Sequence, residues 1–425
     1  MMKPQSNVLP WCWSQRVWLA VLAVIFLLRF PGNFLLHPPY LPDFEVFRAV
    51  AIRILQGDAT HLYSAVGASQ MVFKYAPCWA LLFAPLGWLS AHPSAVLWAT
   101  LSVGWLLLTC WITERLCRRC ALSPYPFLAI PAVLLLVRPL LEEFLQGQAN
   151  LLWGCLSVSF LWLAITNRPW RAALCLALAI SLKLPALLFL PYLALTQRWK
   201  LLARTVLCVV MLNTIAVLIL LPTQPLKLLS DWASVLLASG PDRAFEIGSQ
   251  SLLALLGRLL RNDGYHFNLL ALSTATVSRI AAGVAFGLFG AIFFPRSTTP
   301  RDDHWVATGA LVMTLMVLLS PTCWVATYAA LLFPVLFTLA LFTDPSRRFL
   351  RIPLIVTGLL PLGLLALLTN SSLWRAMGVR YLRGESYVYL VLMILPWFGL
   401  ILTWSLWHQR RLLIRCAASA GTSHN

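Results

Sequence analysis

Apolar stretches about as long as a membrane is thick recur along almost the whole chain, and this recurrence constrains the fold more than any motif does. A helix needs about 20 predominantly apolar residues to cross a bilayer. Runs of this kind, or shorter ones in close succession, lie at 18–30, 76–92, 93–114, 122–137, 149–166, 170–182, 183–196, 204–221, 269–294, 305–319, 322–343, 352–368 and 387–407. Lipid offers the backbone no hydrogen bonds, so such runs are expected to be helical. Of the 425 residues, 60% are hydrophobic and 11% charged, against about 25% charged in soluble domains. That excludes a soluble globular enzyme, a disordered chain and a nucleic-acid-binding domain. The expectation is an all-α polytopic membrane protein with about 12 transmembrane helices, residues 1–425 forming a single integral membrane domain.

The charge balance, 32 Lys+Arg against 14 Asp+Glu, would suit a polyanion binder if the basic residues formed one patch. They recur instead in small groups between apolar runs, such as Arg115, Arg118 and Arg119, then Arg168 and Arg171, then Arg198, Lys200 and Arg204. This is the pattern of cytoplasmic loops under the positive-inside bias. No nucleic-acid partner is expected. The polar stretches 37–75, 138–150, 222–268 and 370–386 then share the opposite, external face. The basic tail 408–425 and both termini are expected to be cytoplasmic, and the first apolar run to be an uncleaved helix. Two runs are split, 76–114 at His92-Pro93 and 170–196 at Lys183-Leu184-Pro185. One crosses once and the other twice, and counting charges favours the single crossing for 76–114. Most of the 10 cysteines sit in apolar runs, and Cys117 and Cys120 have no further ligands at zinc spacing. No metal site and no cofactor are expected.

Few ionisable groups are left to carry chemistry. Apolar residues at Phe44, Phe47, Val50, Ala51, Ile54 and Leu55 predict an amphipathic interfacial helix in the first external loop. Asp43, at its start, reads either as a helix cap or as a general base at the membrane surface. Glu142 and Glu143 precede Gly147-Gln148-Ala149-Asn150, a helix start able either to cap itself or to hold a polar group. Lys183, inside an apolar stretch and two residues before Pro185, either snorkels to headgroups or faces a cavity where the helix breaks. Lys74, beside Tyr75, is a cation on the Asp43 side. Ser249-Gln250-Ser251 and Ser320-Pro321-Thr322-Cys323-Trp324 are turns on that same face. A transporter would place such residues near the midplane of several helices. Here most stand at helix ends on one face, which fits a cavity open to one membrane surface. A lipid or solute transporter without catalysis is the alternative reading.

In their shared order these segments resemble glycosyltransferase family 87, bacterial membrane enzymes of the GT-C fold that include polyprenyl-phosphate-mannose-dependent mannosyltransferases. The resemblance runs over roughly residues 14 to 340. It is carried by Pro42-Asp43-Phe44, Leu55-Gln56-Gly57-Asp58, Phe73-Lys74-Tyr75-Ala76-Pro77, Gly147-Gln148-Ala149-Asn150, Ser181-Leu182-Lys183-Leu184-Pro185, Ser249-Gln250-Ser251 and Ser320-Pro321-Thr322-Cys323-Trp324. It implies a multi-pass protein of the bacterial plasma membrane with an external active site. It implies an inverting hexosyltransferase that moves a hexose such as mannose from a polyprenyl-phosphate donor to a lipid or glycan acceptor. Asp43 would be the catalytic base, and Lys74, Tyr75, Glu143, Gln148, Asn150, Lys183, Gln250 and Trp324 would line the substrate site. The family's turn after the Ser-Pro motif commonly continues with histidine, whereas Val325-Ala326-Thr327-Tyr328 has none. No Walker-type loop, dinucleotide fingerprint or D-x-D motif appears, as suits a lipid-borne donor.

Overall fold

The computed structural model describes residues 9–66, 70–122, 127–238, 244–246, 248–261, 268–293, 302–344, 355–369 and 394–422. These fold into helices: α1 (Leu9–Leu27), α2 (Pro42–Leu55), α3 (Pro77–Phe83), α4 (Ala91–Arg119), α5 (Ala129–Leu135), α6 (Val137–Gln146), α7 (Asn150–Ile165), α8 (Pro169–Leu182), α9 (Phe189–Leu195), α10 (Trp199–Leu220), α11 (Pro225–Ala238), α12 (Leu252–Leu260), α13 (Thr274–Ala291), α14 (Asp302–Leu318), α15 (Leu332–Thr343), α16 (Leu360–Leu368) and α17 (Ile394–Thr422).

Among the described residues, five helical stretches are long and apolar enough to cross a membrane: Arg16–Leu36, Ala91–Arg119, Trp199–Leu220, Thr274–Ala291 and Val325–Thr343. The bent pair α6–α7 makes a sixth if it counts as one span. Among the described residues the expectation of about 12 crossings is not reached by length and composition: several apolar runs fold as short, broken pieces, and parts of the runs 352–368 and 387–407 lie outside those residues. The run 170–196 becomes α8, a 3-10 segment Leu184–Leu188 and α9. Within 76–114, α3 and the 3-10 turn Ala84–Trp88 are short, and only α4 is long enough to span. The stretch read as a tail from residue 408 continues α17 as helix up to Thr422. The polar stretch 370–386 lies outside the described residues.

Exposure sorts the helices into layers. α14 is buried on every side from Trp305 to Leu318, as is α15 from Leu332 to Leu341. A helix apolar all round belongs in the centre of such a bundle. α10 instead exposes Val206, Val210, Met211, Ile215 and Ile219. Its 22 residues span about 33 Å at 1.5 Å per residue, matching the roughly 30 Å of bilayer hydrocarbon. α10 is therefore a lipid-facing wall and α14–α15 are the pillars.

α2 forms where the amphipathic pattern places it. Pro42 begins it, Asp43 and Glu45 sit in its first turn and Arg53 in its last. Proline suits a first helical position because its missing N–H needs no partner there, and the charges complement the helix dipole. The buried face is Phe44, Val46, Phe47, Val50 and Ala51, and it packs mainly on α3 and the Ala84–Trp88 turn. Phe47 meets Phe83 at 5.0 Å and Trp98 at 5.3 Å between ring centroids. α2 is thus docked on protein, which fixes the direction of Asp43.

Candidate active site

Three interruptions in otherwise apolar helices build one cavity. The first is Gly147, which stands in the left-handed region at φ 68° and ends α6. Only glycine adopts this backbone freely. The chain then turns by 116° into α7, with the Gln148 N–H donating to the Glu143 carbonyl at 3.0 Å. Gly147 also has no room for a side chain: an added Cβ would lie 2.6 Å from the Phe44 Cβ. This close approach brings the start of α7 against the start of α2. Trp98 secures it by donating from Nε1 to the Gly147 carbonyl at 3.0 Å.

The second interruption is Lys183, in extended backbone between α8 and the 3-10 segment containing Pro185. The Ser181 carbonyl, at the end of α8, accepts from the Ala76 N–H at 3.0 Å, which fastens the start of α3 to the break. The third is the Ser320–Trp324 turn between α14 and the 3-10 segment Val325–Leu331. It is tied to the 249–251 turn: Gln250 N–H donates to the Cys323 carbonyl at 2.5 Å, and Tyr328 Oη donates to the Gln250 carbonyl at 2.8 Å.

Between these breaks lies a cavity of about 1100 Å³, with Asp43, Lys74, Tyr75, Gln148, Lys183 and Trp324 in its walls. Six of the nine residues expected at the site therefore share one space. Asp43 does not cap α2. Leu41 holds the N-cap position with no side-chain cap, and the Asp43 carboxylate accepts from Gln148 Nε2 at 2.5 Å instead. Burial pushes its carboxyl above the ordinary carboxylate value of 3.8, while the Gln148 hydrogen bond, then Lys183 and Lys74, pull it back.

The other three are placed differently. Glu143 and Asn150 are buried behind the wall and orient what lines it. Lys183 Nζ donates to Asn150 Oδ1 at 2.5 Å. Asn150 Nδ2 donates to Glu143 Oε2 at 2.7 Å and to Gln148 Oε1 at 3.1 Å. A lysine ammonium can only donate, so Asn150 must present its oxygen to Lys183 and its NH₂ to Gln148. Gln148 must then present its own NH₂ to Asp43. The polarity of four side chains is fixed from one end. Glu143 Oε1 also accepts from the Leu151 N–H at 2.8 Å, satisfying a free donor in the first turn of α7. Gln250 is fully buried outside the cavity wall and acts through its backbone on the Trp324 turn. Trp324 is 37% exposed, and its ring lies where a Gly248 side chain would go, an added Cβ there falling 2.2 Å from a ring carbon.

The cavity wall also holds Glu142, noted above beside Glu143, together with residues that the sequence reading did not single out. Arg138, Glu142 and Gln146 form one wall; their spacing of four along a helix whose other face carries Pro139, Leu140 and Phe144 was the available signal. Trp232 and Leu236 of α11 and Leu184, Leu187 and Leu188 form another, apolar wall. Among the described residues no three His, Cys, Asp or Glu side chains converge as a metal site would need.

In this multi-pass membrane protein, polar groups gather at helix breaks around one cavity. The chain belongs to glycosyltransferase family 87, whose model matches residues 73–321, more than half of the 425. It is 29% identical over 174 residues to a Mycobacterium tuberculosis protein, covering 37% of this chain and 40% of the relative. It is 30% identical over 187 residues to a Mycolicibacterium smegmatis protein, covering 39% and 41%. Both relatives are polyprenol-phosphate-mannose-dependent alpha-(1-2)-phosphatidylinositol mannoside mannosyltransferases. The aligned stretch spans about two fifths of each relative's length. The family match begins at Phe73 and does not include Asp43, so Asp43 joins the site through its hydrogen bond to Gln148.

Proposed function

We propose that this protein transfers a hexose, mannose by analogy with its relatives, from a polyprenyl phosphate to a hydroxyl-bearing lipid or glycan, with inversion at the sugar carbon. The carrying observation is that the Asp43 carboxylate shares one cavity with two lysines and an apolar wall. An acceptor hydroxyl has a pKa far above 7, so its attack needs a base at hand. Asp43 takes the proton as the new C–O bond forms at the anomeric carbon. The bond from that carbon to the phosphate oxygen breaks, and the electron pair leaves with the lipid phosphate. Lys183 and Lys74 stabilise the departing charge, the kind of electrostatic help that supplies much of many enzymes' rate. The Leu184, Leu187, Leu188, Trp232 and Leu236 wall suits the prenyl chain. The positive-inside pattern supports an external cavity in a plasma membrane: α4, the α7–α8 turn and the α9–α10 turn all carry their arginines at the end away from it.

The test is incubation of the purified protein with polyprenyl-phosphate mannose and a panel of mannosides and mannolipids, read by mass spectrometry. Wild-type protein is expected to extend an acceptor, and Asp43→Asn to lower the rate by about 10²–10⁴-fold. Undiminished turnover in Asp43→Asn would overturn the base assignment. Because Asp43 must be ionised, the rate is expected to climb with pH through its raised pKa and then level off.

A further inference from the structure

The cavity has a second polar wall whose electrostatics differ from those of the lysine corner. Arg138, Glu142 and Gln146 stand at successive four-residue steps of α6, all half-buried and all facing the cavity. Arg138 donates to one Glu142 carboxylate oxygen, and Gln146 Nε2 lies 3.4 Å from the other. A carboxylate offers about four lone-pair sites, so roughly half of Glu142's accepting capacity is left for a ligand. The row sums to zero charge, one cation against one anion. It therefore attracts a phosphate less than the Lys183 and Lys74 corner does. It offers a guanidinium, a carboxylate and an amide in a line, a set that pairs with vicinal hydroxyls acting as donors and acceptors in alternation.

The row also has length and direction. Eight residues of helix cover about 12 Å, more than one hexose ring. Its Gln146 end stands two residues before Gln148, which holds Asp43. Hydroxyls bound along the row lead to the base.

We infer that this face of α6 is the acceptor subsite and that it takes an uncharged, hydroxyl-rich glycan of more than one sugar. This rests on the transferase reading above for its role, but not for its binding. The purified full-length protein in nanodiscs is titrated with methyl α-mannoside and with an α-mannotrioside, followed by ligand-observed NMR. Wild-type protein is expected to bind the trioside at least about tenfold more tightly, as one charge-assisted hydrogen bond would provide. Glu142→Ala is expected to abolish that preference. Gln146→Ala, which leaves the Arg138–Glu142 pair intact and guards against misfolding, is expected to weaken it severalfold. In transfer assays both variants are expected to raise KM for the trioside while leaving KM for polyprenyl-phosphate mannose unchanged. Equal binding of the two mannosides by wild type, or retention of the length preference in both variants, would overturn the subsite. If wild type binds the trioside with these dependences yet transfers no mannose, the subsite stands and the transferase reading falls.

Discussion

The two ends of the bundle handle charge in opposite ways. At the cavity end, charged and amide side chains sit on helix interruptions and bond one another in a directed row from Lys183 to Asp43. At the far end, charged groups sit on or beside unbroken helices and clamp neighbouring ones. Arg119 of α4 pairs with Asp302 of α14 at 3.0 Å. Arg198 lies over the Trp305 ring at 4.3 Å. Arg410 of α17 donates from Nε to His304 Nε2 at 2.8 Å and bonds the Ile292 carbonyl. Both ends are polar, and among the described residues the large cavity lies at the interrupted one, between its polar groups. Breaking a helix frees backbone and opens volume, and the freed segment can carry a side chain into that volume. The unbroken helices at the far end use their charged groups for packing.

This contrast can be broken at its strongest point by Lys183→Gln. The variant removes the cation nearest the proposed leaving phosphate and the donor that fixes Asn150. Single-turnover transfer is expected to fall by about 10²–10³-fold with the protein still folded. Gly147→Val tests the interruption itself. A branched side chain at φ 68° costs about 1–3 kcal/mol and collides with Phe44, so both thermal stability and transfer should drop, the latter up to about 10²-fold through misplacement of Gln148. A mutation of equal bulk on exposed Val210 of α10 should change neither.

Asp43→Asn separates stability from activity. A raised carboxyl pKa means that the folded chain holds this proton more tightly than the unfolded one. Its contribution to stability is therefore full below the ordinary value of 3.8 and lost as pH rises through the raised value. At pH 7 the neutral variant is expected to keep its Tm or gain a few degrees, measured by nanodisc calorimetry. The smallest effect is expected at the far end. Arg119→Ala removes an exposed ion pair, with side chains 56% and 40% accessible. Such pairs contribute about 0–1 kcal/mol, and kcat should not move.

Much of the architecture was legible in the sequence because lipid leaves the backbone few options: helices and their order along the chain follow. The breaks inside the runs were less legible, because an apolar run such as 170–196 reads much the same whether it continues as one helix or divides into α8, a 3-10 segment and α9. In the site, Gln148 and Lys183 were readable as polar residues beside Gly147 and Pro185, which mark breaks. Of Glu142 and Glu143, the first lines the cavity and the second lies behind it, bonded to Asn150 and the Leu151 N–H. The two are adjacent in sequence but lie about 100° apart around α6, and only the bend at Gly147 determines which faces the cavity. Gln250 was expected at the site from the family resemblance; the structure buries it outside the cavity wall, its backbone tying the 249–251 turn to the Trp324 turn.

The two lysines that bear on Asp43 are also those proposed to meet the donor's phosphate. When that anion arrives, it draws on the same positive field that keeps the carboxylate's proton affinity down. Donor binding therefore makes the base stronger, and departure of the lipid phosphate relaxes it again. Substrate and catalyst are then coupled through a common pair of counter-ions, so the pH at which kcat reaches half its maximum should lie above that for kcat/KM of the donor.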